Sequence, residues 1–349
     1  MSGSSVIRLV ALGNGVWLDE IRRTGQQPIR DVPGGSVTFA TVGARLFVPD
    51  EPRSIGLVFH AGADFPPDVI ELFRSWGVTL DLKHVKAPSA RGVVFYDEAN
   101  DERKGFERLT KPLPITVDDL SGTRLLAASA FHFFGTAQYV EESVSHLVRL
   151  RQANHHSQTR PFVVWEPEAK SCRPDTLSAH QQAASSVNVF SPNHLELASF
   201  FADATATFDK AVIERHAAMF LDAGIGTNGE GCIIVRAASH GCLVMSRQVE
   251  ARWLPAYYEP GSGKIIDATG AGNAFLGAFI IGWLETGSFL EGAICGQVAA
   301  SFVIEQVGLP RLSGHGSSEV WNDCNVIDRL VAYRKRFKED GEKGGRGGR

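Results

Sequence analysis

Ile266-Asp267-Ala268-Thr269-Gly270-Ala271-Gly272-Asn273-Ala274-Phe275 is the stretch that decides the fold of this 349-residue chain. A β-branched approach, Lys264-Ile265-Ile266, runs into an acidic residue and then a glycine turn. A helix follows at once, because Phe275, Leu276, Phe279, Ile280 and Trp283 recur at helical spacing. A glycine turn at a helix start presents unpaired backbone N–H groups together with the positive end of the helix dipole. That combination is an anion site of the kind that takes phosphate. Side chains at Gly270 and Gly272 would block the close approach of a ligand. The same residues also read as an ordinary loop with Asn273 as helix N-cap.

Composition bounds the rest. The chain is 44% hydrophobic and 21% charged, as expected of a soluble globular protein. With 35 basic and 39 acidic residues the net charge is −4, which gives no electrostatic case for nucleic acid as a partner. The five cysteines are scattered and odd in number, so reduced thiols in a cytoplasmic setting are expected. Met1-Ser2-Gly3-Ser4-Ser5 shows no basic region leading into an apolar one, so no secretory signal is expected. The most apolar helix, 274–284, is shorter than the roughly 20 residues a bilayer span needs, so no membrane partner is expected either.

Outward from the opening stretch, apolar runs at 6–12, 55–59, 78–82, 130–134, 161–165, 187–190 and 231–236 read as buried strands. Helical patterns fall at 69–76, 141–154, 175–186, 293–305 and 321–337, and residues 242–245 read as the second arm of a hairpin. Alternating strands and helices predict a doubly wound parallel sheet, an α/β/α sandwich with ligands beyond the carboxyl ends of its strands. Polar turns and β character near 13–35 and 88–118 predict a small accessory sheet. A single domain is expected over 6–337, and the charged, glycine-rich residues 338–349 are expected to be disordered.

Four further features carry chemistry. Asp19, isolated among apolar residues, is either a solvated turn carboxylate or a group that holds substrate hydroxyls. Gly34-Gly35 opens a helix of small residues, which suits either tight packing or a binding loop. Asn193 and Glu196 share a helical face after a strand, an arrangement for orienting Mg²⁺ and its waters or simply for capping a helix. Residues 233–244 form a strand and turn that include Arg236 and Gly241.

Taken in order, Gly34-Gly35, Asn193-x-x-Glu196, the 233–244 turn and Asp267-Ala268-Thr269-Gly270-Ala271-Gly272 resemble the ribokinase (PfkB) family of carbohydrate and nucleoside kinases, over about residues 6–335. Asp19-Glu20-Ile21, Thr38-Phe39-Ala40-Thr41-Val42-Gly43-Ala44-Arg45-Leu46 and Trp165-Glu166-Pro167 most resemble a fungal, maintenance-of-killer branch of it. The resemblance implies an α/β/α core with a β lid, ATP with Mg²⁺, and transfer of the γ-phosphoryl group to an alcohol of a small-molecule substrate. By position, the amides of Gly270, Ala271 and Gly272 would form the anion hole, and Asn193 and Glu196 would organise Mg²⁺. Asp267 would touch a monovalent cation such as K⁺. Asp19, Gly34 and Gly35 would line the acceptor pocket, and Arg236 and Gly241 would lie near the nucleotide. The family also implies a monomer or a lid-mediated homodimer.

Three positions depart from the family pattern. Asn273 stands where the family has the Asp that acts as general base, and an amide cannot take a proton. Thr38 stands where sugar kinases of the family often have a substrate-binding Asn. Arg236-Ala237-Ala238-Ser239 replaces a Thr-x-Gly pattern. Three functions therefore stay open: an alcohol kinase with an unusual substrate or lowered rate, a binding protein that has lost the chemistry, and an enzyme that uses the anion hole for another reaction.

Overall fold

The computed structural model describes residues 6–96, 103–154, 160–202 and 208–344. The main sheet begins with β1 (Leu9–Leu12), four residues buried on both faces, as a continuous apolar run in a parallel sheet must be. The chain then leaves to make two strands of a second sheet, β2 (Trp17–Arg22) and β3 (Ile29–Gly34). Helix α1 (Ser36–Arg45) returns it to β4 (Ile55–Ala61), followed by α2 (Pro67–Ser75) and β5 (Thr79–His84). A second excursion forms β6 (Arg91–Tyr96) and β7 (Arg103–Arg108). Then come β8 (Ala130–Gly135), α3 (Ala137–Ala153), β9 (Phe162–Pro167), α4 (Leu177–Ala184), β10 (Val189–Phe190) and α5 (His194–Ala198). The chain continues through α6 (Lys210–Ala223), β11 (Cys232–Arg236), β12 (Cys242–Ser246) and β13 (Arg252–Leu254). Helices α7 (Ala271–Thr286), α8 (Phe289–Val303) and α9 (Val326–Gly344) complete it.

The main sheet has the order β13-β12-β11-β10-β9-β8-β1-β4-β5. Neighbours from β5 through β11 are parallel, and β12 is antiparallel to both β11 and β13. The chain moves outward from β1 in both directions, so the topological switch lies beside β1, where a crevice opens at the strands' carboxyl ends. The second sheet, β3-β2-β6-β7, covers that end. It is mixed rather than purely antiparallel, since β2 and β6 run parallel.

Helix α1 is small-residue-rich for a packing reason. A Cβ on Gly43 would overlap the Ala274 carbonyl of α7, and one on Gly277 would overlap the Ala40 carbonyl of α1. The two glycines let α1 and α7 cross backbone to backbone, which sets their N-termini side by side above β1.

Local expectations need adjustment in several places. Lys264-Ile265-Ile266 is not a strand; Ile265 and Ile266 are exposed, and the N–H groups of Ile266 and Asp267 donate to the Ile304 carbonyl. Helix α3 starts four residues earlier than its apolar pattern, because Thr136 caps it by accepting from Tyr139 N–H. Helix α6, capped by Asp209, is absent from the helices expected above, although its buried Ile213, Ala217, Phe220 and Leu221 recur at helical spacing. The last helix runs on through Gly344, so 338–344 are helical rather than disordered; 345–349 lie outside the described residues. Cys172, Cys232, Cys242, Cys295 and Cys324 are free. No described helix is long and apolar enough to cross a membrane.

Candidate active site

A cavity of about 250 Å³ sits at the carboxyl end of the main sheet, under the second sheet. Its floor is made by two helix N-termini: Gly35 and Ser36 of α1, and Thr269, Gly270 and Asn273 at the start of α7. Gly270 is left-handed, with φ 79°, and a Cβ there would overlap the Phe39 ring of α1. The turn is therefore held open by glycine and wedged by Phe39.

The amides divide unequally. Ala271 N–H donates to the Ala268 carbonyl at 3.3 Å, so it is spent, contrary to the expectation that it would serve the anion hole. The N–H groups of Gly270, Gly272 and Asn273 have no protein acceptor among the described residues, and all three residues are partly exposed. They are the donors left for an anion. Asp267 is buried and accepts from Thr269 N–H at 2.9 Å, which fixes the turn's entry; the Tyr96 hydroxyl from β6 lies beside it.

The wall of the cavity holds a residue that sequence reasoning did not nominate. Glu166 lies at the end of β9, fully buried, and is positioned by its neighbour: the Trp165 indole donates to the Gly135 carbonyl of β8 at 2.9 Å. Its carboxylate accepts from Asn273 Nδ2 at 2.6 Å, Arg236 Nη1 at 2.7 Å and His132 Nε2 at 3.2 Å. Burial alone would raise its pKa, but Arg236, then His132 and Asn273, hold it below the usual carboxylate range. An ionised carboxylate only accepts, so the Asn273 amide must turn its nitrogen to Glu166 and its carbonyl oxygen away. The one signal in the sequence was an acidic residue closing an apolar run before proline, at the end of a strand where ligands sit.

Arg236 reaches across from the end of β11. Besides Glu166 it donates to the Ser191 carbonyl at 2.9 Å and lies 3.5 Å from Glu196 Oε2. Its guanidinium passes so close to the α7 turn that a Cβ on Gly272 would overlap Nη1. Arg236 is nearer Glu166 than Glu196, so its charge goes mainly to Glu166. Glu196 is pushed up to about 7 by burial, against the pull of Arg236 and with Glu166 adding to the rise.

Asn193 and Glu196 form a capping box. Asn193 Oδ1 accepts from the N–H groups of Leu195 and Glu196 at 2.9 and 2.8 Å, and Glu196 Oε2 accepts from Asn193 N–H at 2.7 Å. A protein-held Mg²⁺ does not fit this donor set. The amide oxygen is committed to capping, and a guanidinium already lies against the carboxylates a cation would neutralise. Among the described residues, no group of three or more His, Cys, Asp or Glu side chains is placed to hold a metal ion.

The remaining nominated residues fall into cavity-lining and packing roles. Asp19 on β2 is buried and lines the cavity rather than solvent, and a Cβ on Gly34 would overlap its Oδ2. Gly34 thus makes room for the carboxylate. Thr38 is fully buried and donates to the Gly34 carbonyl at 2.7 Å; it does not line the cavity, and Ser36, two residues earlier, does. Gly241 is a packing residue, since a Cβ there would overlap the Leu254 carbonyl of β13. The second sheet contributes Trp17, Phe106 and Arg108, with Trp17 and Phe106 edge to face at 5.6 Å. Apolar ring faces beside a buried carboxylate suit a polyhydroxylated small molecule.

Comparison with known proteins agrees with this architecture. The family model described as pfkB family carbohydrate kinase matches residues 9–311. An uncharacterised protein of Schizosaccharomyces pombe is 30% identical over 332 residues, 90% of each chain. Protein MAK32 of Saccharomyces cerevisiae is 29% identical over 354 residues, covering 95% of this chain and 93% of its own. Both are fungal, as the wording at 38–46 and 165–167 implies. The structure of ribokinase from Giardia lamblia superimposes with a TM-score of 0.66 at 17% identity, covering 87% of this chain and 96% of that one. This chain belongs to the pfkB family of carbohydrate kinases, with the ribokinase-like α/β sandwich and small β lid of that family.

Proposed function

We propose that this chain is an ATP-dependent phosphotransferase acting on an alcohol group of a sugar, nucleoside or related metabolite, with Glu166 carrying the negative charge that the family's Asp carries at position 273. The observation that supports it is the bond between Asn273 Nδ2 and Glu166 at 2.6 Å, at the edge of both the open amides and the cavity lined by Asp19. One carboxylate is present beside the reacting centre, but it arrives from β9 instead of from α7.

In this reading Asp19 binds acceptor hydroxyls, the carbonyl oxygen of Asn273 accepts from a hydroxyl beside the reacting one, and the reacting hydroxyl donates directly to Glu166, which lines the cavity. The amides of Gly270, Gly272 and Asn273 receive the transferring phosphoryl group. The new O–P bond forms as the bond to the leaving ADP breaks, and the hydroxyl proton passes to Glu166. A base held below the usual carboxylate range takes that proton weakly, so its contribution falls toward the low end of the usual 10²–10⁴-fold. Most of the catalysis of phosphoryl transfer is positioning and charge stabilisation, which the open amides provide. A monovalent cation at Asp267 belongs to the same proposal: this carboxylate is buried at the entry of the turn, where it accepts from Thr269 N–H.

A protein that binds without turnover is the second reading, favoured by how completely Arg236, His132 and Asn273 occupy the Glu166 carboxylate. ADP release from ATP, with a panel of polyols and nucleosides, separates the two. The kinase reading expects acceptor-dependent ADP formation that falls at least about 10²-fold in Glu166→Gln. Tight ligand binding with no ADP formation in either form would leave the binding protein.

A further inference from the structure

We infer that Arg236 is the resident cation of the phosphate site, so that phosphate binding at the Gly270–Asn273 turn does not need a divalent ion held by Glu196. The inference rests on the reading of that turn as a phosphate site. Three observations carry it.

The first is placement. Arg236 extends from β11 over the α7 N-terminus, and Gly272 has no side chain where that guanidinium lies. An anion on the open amides of Gly270, Gly272 and Asn273 is therefore within reach of the same arginine. The second is charge. Arg236 bridges Glu166 at 2.7 Å and approaches Glu196 at 3.5 Å, the carboxylates that would otherwise attract a metal. The third is unused donor capacity. Arg236 is largely buried, and its Nε–H has no partner among the described residues. A guanidinium offers five N–H donors in a planar fork suited to phosphate oxygens. Glu166, Ser191 and Glu196 take only its Nη groups.

The sequence carries the matching sign: a long cation stands where the family resemblance expects a Thr-x-Gly turn. Exchanging a small turn residue for arginine builds the positive charge into the fold.

Calorimetric titration of ATP into the full chain, once in EDTA and once in Mg²⁺, tests this directly. Wild type is expected to bind ATP in EDTA within about threefold of its affinity in Mg²⁺, and to give no heat with Mg²⁺ alone up to millimolar concentration. Arg236→Met is expected to lose about 10–100-fold of its affinity in EDTA, the equivalent of a charged hydrogen bond. It should recover most of that in Mg²⁺, because Glu166 and Glu196 are then free to attract the ion. Arg236→Lys keeps the charge and should remain Mg²⁺-independent, which guards against misfolding of the methionine variant. ATP binding by wild type only in Mg²⁺, or unchanged EDTA affinity in Arg236→Met, would overturn the inference. ATP bound in EDTA, with no acceptor-dependent ADP formation when Mg²⁺ and the polyol and nucleoside panel are supplied, would instead remove the kinase reading and leave Arg236 in place. Mg²⁺-dependent binding with turnover would remove Arg236's role alone.

Discussion

Replacing Asn273 by Asp looks from sequence like a repair, since it restores the family's base. The structure predicts the opposite at neutral pH. The new carboxylate would stand where Nδ2 now lies, 2.6 Å from Glu166 Oε2, and Glu166 is fully buried. Two ionised groups at that distance repel by roughly 6 kcal/mol at an effective dielectric of 20. Keeping one of them protonated at pH 7, about three units above an ordinary carboxylate pKa, costs about 4 kcal/mol. The second cost is smaller, so the pair should share a proton, and the introduced carboxylate provides no free base. The folded pair then titrates above its unfolded value. Its stability relative to wild type is intact below about pH 4 and is lost as pH rises, at about 1.4 kcal/mol per unit until the folded pKa is reached. Asn273→Asp should therefore melt near wild type at pH 4.5, lose up to about 4 kcal/mol at pH 7, and show no gain in ADP formation at pH 7.5. Asn273→Asp combined with Glu166→Gln exchanges the charges, with the introduced glutamine amide now donating to the introduced aspartate. The double variant should recover stability at pH 7 and raise turnover about 10²-fold or more. Urea melts at the two pH values and an ADP-release assay are sufficient. A large gain from Asn273→Asp alone, with the double variant no better, would refute the idea that Glu166 already supplies the charge.

Three further outcomes follow from particular contacts. Gly272→Ala places a methyl against the Arg236 guanidinium, a movable side-chain end, so folding should survive while ATP affinity measured by calorimetry falls about tenfold. Glu196 has a folded pKa raised to about 7, so the stability linked to its proton is present below about pH 4 and is lost as pH rises through 7. Glu196→Gln should flatten the decline in unfolding free energy between pH 5 and 8 by roughly 3 kcal/mol. Gly277→Ala drives a Cβ into the Ala40 carbonyl, a backbone atom that cannot swing aside, and should cost on the order of 1–3 kcal/mol in a urea melt by separating α1 from α7.

The glycine turn and the helix that starts at 271 were legible because both are local signals, a few residues of glycine and a 3.6-residue period. The parallel strands were legible for the same reason: β1 is apolar on both faces and reads as one run. Glu166 was not, because its role comes from partners 107, 70 and 34 residues away in sequence, none of which marks the strand end itself. Asp19 and Thr38 depended on facing. Its place on the cavity-facing side of β2 turned Asp19 into the cavity, and a bond to the Gly34 carbonyl turned Thr38 away from it. Arg236, at the end of β11, could be placed near the nucleotide from the family resemblance, but its pairing with Glu166 and Glu196 required the fold. Ala271 shows the limit of motif reading at one atom: its neighbours' amides stay open while its own closes onto Ala268.

Phosphate received by the amides of Gly270, Gly272 and Asn273 underlies every functional step proposed above. The most direct measurement is the backbone ¹⁵N–¹H chemical shifts of these three residues as ATP is added. They should move together along one saturating curve that Gly272→Ala weakens, with Ala271 N–H moving least. ATP binding that leaves all three amides unmoved would contradict the account.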